Sequence, residues 1–203
     1  MRFSHLTPHQ FQSVAAYVDT LVATAYTPAP LDIAVPHEAS AWISDELAGR
    51  VSRRFSGRVA TVRLGAAFQW AGLSPERLDE LETIIGHPHR FGVLITERHL
   101  LVDHASVTTP SGAPWLVIDW WQWFRKRVPK ARLADAWMYL AHAHAPYMEA
   151  EERRRIGMDP ETARAMAAQG QALLEQAADW TCAALRSLWA SSPAPWDAED
   201  SES

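Results

Sequence analysis

The run RFGVLIT, Arg90 to Thr96, and the shorter run HLLVD, His99 to Asp103, decide how this chain is expected to fold. Both are apolar and extended in character, and only Glu97-Arg98 lies between them. Two strand-like runs joined by so short a link read as a tight β-hairpin.

The segment before the hairpin sets its context. Residues 64–86, LGAAFQWAGLSPERLDELETIIG, read as helix, tight turn, helix. Gly72 permits the positive φ of such a turn, Ser74-Pro75-Glu76 is a strong helix start, and Gly86 closes the second helix. With Gly72 at the turn position of a helix-turn-helix, the surrounding apolar positions fall on Ala67, Ala71, Leu73, Leu78 and Leu81. Phe68 departs from that pattern, because a small residue is usual there. Upstream, Arg58 to Leu64 opens as a short strand. Ser40 to Phe55 reads as a helix with Trp42, Ile43, Leu47 and Val51 on its buried stripe, ended by Ser56-Gly57. Helices followed by a hairpin give the order of a winged helix. The expected fold class is therefore α+β, mainly helical, with a winged-helix-like centre and a helical C-terminal extension.

Farther out, Thr7-Pro8-His9-Gln10 fits a capping box, and Phe11, Val14, Val18, Leu21 and Val22 continue it at helical spacing to about Ala25. A proline-punctuated connection covers Thr27 to Pro36. After the hairpin, SVTT (106–109) and WLVI (115–118) read as further strands around a turn at Pro110-Ser111-Gly112. Asp119 is a helix N-cap with Gln122 three residues later, and Ile118 and Trp123 bracket it as a hydrophobic staple. Helix is expected from Lys130 to Ala145, between Pro129 and Pro146, and again from Asp159-Pro160-Glu161 to about Trp189. On that last helix Met166, Leu173, Ala177, Trp180, Ala184 and Leu188 form a seam for another helix, from this chain or a partner. The expected organisation is residues 1–36, an N-terminal helix and connection; 37–118, the winged-helix-like core; 119–190, the helical extension; and 191–203, a disordered acidic tail.

Length and composition bound the rest. The chain has 203 residues, 48% hydrophobic and 21% charged, which suits a soluble globular domain. No signal peptide and no run long enough to span a bilayer are visible. The single cysteine, Cys182, fits a reducing, cytoplasmic setting. Net charge is −5, yet ten of the 19 basic residues fall in two acid-free islands. One holds Arg50, Arg53, Arg54, Arg58 and Arg63; the other holds Arg125, Lys126, Arg127, Lys130 and Arg132. Such segregation creates local positive potential on an acidic body and points to an anionic partner, though solvated helix ends would give the same pattern.

Ten tryptophans are the other unusual feature. Trp42, Trp70, Trp137 and Trp180 sit in amphipathic helices and are expected in the core. Trp120, Trp121 and Trp123 diverge around a helix, which places at least one near the surface. An exposed one could stack on an unpaired base.

Catalytic chemistry finds little footing. His142 and His144 point apart on a helix, and His87 and His89 flank a proline. Only His99, Asp103 and His104, with Glu97 near, could assemble a metal or acid–base site. No nucleophile elbow and no glycine-rich phosphate loop is present. The second helix of the helix-turn-helix carries Glu76, Arg77, Asp79, Glu80 and Glu82, so a phosphate-lined groove would repel it. The expectation is a protein without catalytic activity or cofactor that contacts a nucleic-acid backbone, other subunits of a nucleoprotein complex, or both, through the two basic islands. A protein–protein adaptor or inhibitor, engaging a partner through the last helix, is the alternative, and a metal-assisted enzyme the third. No membrane contact is expected.

Overall fold

The computed structural model describes residues 7–26, 39–65, 74–85, 89–97, 102–127 and 159–191. The elements in chain order are α1 (Pro8–Gln12), a 3₁₀ turn (Ala15–Tyr17), β1 (Thr20–Thr24), α2 (Ala39–Arg54), β2 (Val59–Arg63), α3 (Pro75–Ile85), β3 (Phe91–Thr96), β4 (His104–Thr108), β5 (Pro114–Asp119), α4 (Trp120–Arg125) and α5 (Pro160–Ser191). The chain is α+β around one five-stranded mixed sheet, ordered β2-β1-β3-β5-β4. β1 pairs in parallel with β2 and β3, and β3 in parallel with β5; β4 alone is antiparallel, at the edge beside β5.

Alternation along the strands sorts side chains to two faces. Val22, Phe91, Val93, Ile95, Leu116 and Ile118 face a core cluster shared with α2, α4 and α5. Leu21, Ala23, Leu94, Trp115 and Val117 face a second cluster with Leu78 and Leu81 of α3. Parallel crossovers are right-handed, so a connection that moves outward (β1 to β2) and one that moves back (β2 to β3) must place their helices on opposite faces. The two clusters follow that rule.

Two expectations are corrected. Helix from Thr7 toward Ala25 ends after one short turn of α1, and Thr20–Thr24 is a strand buried on both faces. Such a strand has no polar side and reads as a continuous apolar run, which mimics helical spacing. The hairpin of residues 90–103 does not form: β3 is flanked on both sides by parallel partners, and β4 begins later, at His104, and pairs with β5. With both edges of β3 occupied there is no place for the wing of a winged helix. One cluster joins Val22, Ile43, Trp120 and Leu174, residues from either side of 36/37 and 118/119.

Several local signals hold. Thr7 and Gln10 make the reciprocal capping box, Asp119 accepts from the Gln122 N–H at 3.1 Å, and Asp159 accepts from Glu161 and Thr162. The strand at 58–64, the helices at 40–55 and 75–85, the strands around the 110–112 turn and the last helix are all present. The seam of that helix is used within the chain: Ala177, Trp180, Ala184 and Leu188 lie in or against the cluster shared with α2. The connection 27–36, the first helix and Gly72 of the helix-turn-helix, the helix at 130–145 and the tail at 192–203 lie outside the described residues.

Charge fastens α2 to α5. Arg50 and Arg54 both bond the Glu175 carboxylate, and Arg54 also meets Asp179 at 2.8 Å. Burial pushes Glu175 up, but bonds from the two guanidiniums outweigh it and hold its carboxyl below the ordinary glutamate value. A depressed folded-state pKa stabilises above the unfolded value and is lost as pH falls through the folded one. Glu175→Gln is therefore expected to lower the urea midpoint at neutral pH, by no more than about 1 kcal/mol for so exposed a pair. The two proteins should converge only as pH falls through the folded-state value, below the ordinary glutamate range; a gap that persists once the carboxyl is protonated would mean the loss is steric rather than ionic.

Candidate functional site

The first basic island is occupied internally. Besides the bonds of Arg50 and Arg54 to α5, Arg50 and Arg53 reach Glu46 at 2.9 and 3.4 Å, and Arg58 reaches Asp19 at 2.8 Å while its guanidinium lies 3.8 Å over Trp189. Arg63 bonds Asp45 at 2.9 Å. In the second island Lys126 bonds Asp103 at 2.9 Å. Arg127 lies 3.8 Å over the Trp123 ring and donates to the Trp123 carbonyl at 2.9 Å. Arg125 is exposed. Lys130 and Arg132 lie outside the described residues. Among those described, Arg125 and Arg127 are the members of the two islands without a carboxylate partner in bonding range. Among the described residues, the first island joins α2 to α5 and the sheet, and Arg125, Lys126 and Arg127 stand at the end of α4.

Polar residues gather at the carboxyl ends of the parallel strands, where open sheets commonly bind ligands. Thr24 donates to Asp45 at 2.9 Å, and the Trp120 indole donates to Ser44 at 3.0 Å. Glu97 and Asp119, which follow β3 and end β5, are both fully buried. The layer fastens α2, α4 and the strand ends to one another. Among the described residues no group of three His, Cys, Asp or Glu is placed to hold a metal. Asp103 and His104 of the expected metal-site trio are adjacent, at 3.3 Å, but Asp103 is engaged by Lys126, and His99 lies outside the described residues. Burial pushes the Cys182 thiol up, leaving a thiol rather than a thiolate at neutral pH.

Among the described residues, an open feature is the outer edge of β4. Thr109 N–H bonds the Ala113 carbonyl and Asp119 N–H bonds the Asp103 carbonyl, in register with the β4–β5 ladder. Antiparallel pairs alternate between bonded and non-bonded, so Asp103, Ala105, Val107 and Thr109 spend their backbone groups on β5. His104, Ser106 and Thr108 therefore turn N–H and C=O outward, where none bonds another described residue. Beside this edge lies a groove of about 400 Å³ between β4, β5 and the C-terminal half of α5. His104, Ser106, Leu116, Trp180, Ala183 and Leu188 are among its lining residues.

The second island stands at one end of that groove. His104 and Trp180 meet edge to face at 5.6 Å, and Trp180 lies 6.0 Å from Trp123, which carries Arg127. Lys126 and His104 share Asp103. Burial pushes the Asp103 carboxyl up, yet bonds from Lys126 and His104 hold it below the ordinary aspartate range, so it stays anionic. The sequence carried one signal for this site: polar His104, Ser106 and Thr108 alternate with Ala105 and Val107, the pattern of a strand with one wet face.

The divergence expected of Trp120, Trp121 and Trp123 is present, whereas Trp42 and Trp180, expected in the core, are not fully buried. Trp120 and Trp123 are buried, while Trp121, Trp42 and Trp180 are part-exposed; Trp70 and Trp137 lie outside the described residues. No described helix is long and apolar enough to cross a membrane. Comparison with protein-family models, curated proteins and solved structures finds no match.

Proposed function

We propose that this chain is a protein-binding module that takes an extended, acidic polypeptide segment along β4, with alternate side chains entering the groove beside α5. The observation that carries this is the row of outward N–H and C=O groups at His104, Ser106 and Thr108 directly above an open groove. An added strand satisfies those groups, and pockets for every second side chain supply specificity. Arg125, Lys126 and Arg127 favour acidic residues at the His104 end. The engagement is that of an adaptor working partly through its last helix, and no catalytic step is required. A reducing, cytoplasmic setting suits the buried Cys182 thiol.

A second reading rests on Arg125 and Arg127, which keep charge free for phosphate: the same end of α4 contacts a nucleic-acid backbone. An array of extended acidic peptides with their lysine counterparts, run beside single- and double-stranded oligonucleotides at two salt concentrations, separates the two. Peptide binding should fall at least about tenfold, ~1.4 kcal/mol, with Ala183→Trp, which fills the groove from an exposed position. Ser106→Pro, which removes an outward N–H at an edge that tolerates proline, should do the same. Oligonucleotide binding that is lost with Arg125→Glu and Arg127→Glu but untouched by Ala183→Trp would replace the peptide reading with the phosphate one. Absence of binding to either probe would sink both.

A further inference from the structure

Strand β4 complements itself when turned end for end. His104, Ser106 and Thr108 turn N–H and C=O outward, and Ser106 lies midway between the other two. A second copy related by a two-fold axis at Ser106 runs antiparallel to the first. Ser106 then stands opposite its own equivalent, and His104 opposite the other copy's Thr108. Both are bonded pairs, in which each residue gives an N–H and accepts at its C=O. Every outward group of the three residues is met in this register. A shift by two residues leaves either His104 or Thr108 without a β4 partner. Natural edges are usually blunted against such pairing by lysine, proline or a bulge. His104–Thr108 carries no lysine or proline and keeps an unbroken register with β5.

Side chains agree with the register, because residues directly opposite across a ladder share a face. On the groove side the pairs are polar, serine with serine and histidine with threonine. On the α3 side Ala105 meets the other copy's Val107, and both are half-buried in the single chain. Val107 already packs against the cluster of Leu78, Leu81 and Trp115, so the joined sheet carries that apolar layer across the seam.

Charge selects the antiparallel arrangement. Lys126 bonds Asp103, just before β4, with exposed Arg125 and Arg127 beside it in sequence. Beyond the other end of β4 the Ser111 N–H donates to Asp79 of α3 at 3.3 Å, and Glu76 of the same helix is exposed. An antiparallel copy brings each basic end to the other's acidic end, and does so twice. A parallel copy would set the two basic ends side by side.

From this self-complementarity we infer that a second copy of the chain pairs along β4, joining two five-stranded sheets into one continuous sheet. The inference rests on the peptide-binding reading of the same edge and names its regulation. Pairing occupies the backbone groups that an outside segment needs, so the dimer is the closed form and the monomer the binding form. So short an edge buries little surface, and the dimer is correspondingly weak, about micromolar or weaker.

Cysteine cross-linking on the full chain tests the register. A bonded antiparallel pair holds its Cα atoms about 5.5 Å apart, within reach of a disulfide. Ser106→Cys, a small change at an exposed position, should therefore form a homodimer when diamide oxidises the two thiols. Thr108→Cys should not, because its own equivalent lies about 13 Å away along the strand. The expected difference in cross-linking rate is at least about tenfold. The parent, whose Cys182 is buried, should give no cross-linked product. In sedimentation the parent should pass from monomer toward dimer between about 5 and about 500 µM. The cross-linked form should bind the array peptides at least about tenfold more weakly than the same variant reduced. Equal cross-linking of the two variants, or a parent that stays monomeric throughout, overturns the inference. If the array peptides still bind that monomer in a manner sensitive to Ala183→Trp, the peptide reading stands and only this partner is wrong. If Ser106→Cys cross-links selectively while the peptides bind neither form, the pairing stands and its regulatory role falls with the peptide reading.

Discussion

Gly92→Ala is expected to destabilise the protein by about 3–5 kcal/mol, although it adds one carbon. Gly92 lies in β3 opposite Trp115 of β5. A β-carbon built on it would stand 2.0 Å from Cδ2, 2.1 Å from Cε2 and 2.4 Å from Cε3 of the Trp115 indole. The ring occupies the place where a side chain would be. Trp115 is fully buried among Leu21, Leu78, Leu94 and Val117, and cannot move aside without opening that cluster. Overpacking a core usually costs ~1–3 kcal/mol. Here the displaced group is a whole indole, so the cost approaches that of deleting a buried tryptophan. Urea unfolding of a double-mutant cycle checks the cause. In a Trp115→Leu background, Gly92→Ala should cost under about 1 kcal/mol, because the ring that collides is gone. A penalty that stays large in that background would place the strain in the backbone, and a penalty below about 0.5 kcal/mol in the parent would remove the clash altogether.

That contact joins residues 23 positions apart, and the distance between partners decides what could be read from the sequence. Helix starts were legible because a cap is a local event: Thr7 with Gln10, Asp119 with Gln122 and Asp159 with Thr162 lie within one turn of each other. Strand pairing is not local. Phe91–Thr96 is recognisably a strand, yet its partners are Thr20–Thr24 and Trp115–Asp119, and the nearer run after Glu97 is not one of them. Thr20–Thr24 itself was hidden, because burial on both faces removes the alternation that marks a strand. The arginines show the same limit. Their signs and clustering were visible, but Glu175 and Asp179 lie more than a hundred residues from Arg50 and Arg54 in sequence, so neutralisation of the first island was not. Of the second island, Lys126 meets Asp103, again through a contact distant in sequence. That island's partner groove depends on which strand ends the sheet, which only the assembled topology decides.

Two tryptophans of α4 give a sharp contrast. Trp123→Ala is expected to cost about 3–5 kcal/mol and Trp121→Ala less than a third of that. Side chains two apart on a helix point about 200° apart, and the fold uses that divergence. Trp123 is 2% exposed within the core cluster and lies 6.0 Å from Trp180, whereas Trp121 is half-buried and stacks on Phe124 with ring centres 6.3 Å apart. Deleting Trp123 empties the space beneath Trp180. It also removes the platform on which the Arg127 guanidinium rests, 3.8 Å above the ring. With a urea slope of about 2–3 kcal/mol per molar, the midpoint should fall by roughly 1.5 M for Trp123→Ala and by about 0.5 M or less for Trp121→Ala. Trp123→Phe should retain more than half of the lost stability, since a phenyl ring still fills most of the site. The buried Trp123 indole N–H has no hydrogen-bond partner among the described residues, so its removal strands no acceptor there. The same series reads out function: Trp123→Phe, which keeps an aromatic face under Arg127 and beside Trp180, should bind the acidic array peptides within about threefold of the parent. Trp121→Ala should leave peptide binding unchanged. Equal destabilisation by Trp121→Ala and Trp123→Ala would contradict the placement of Trp123 in the core, and with it the support that this residue gives to the groove's basic end.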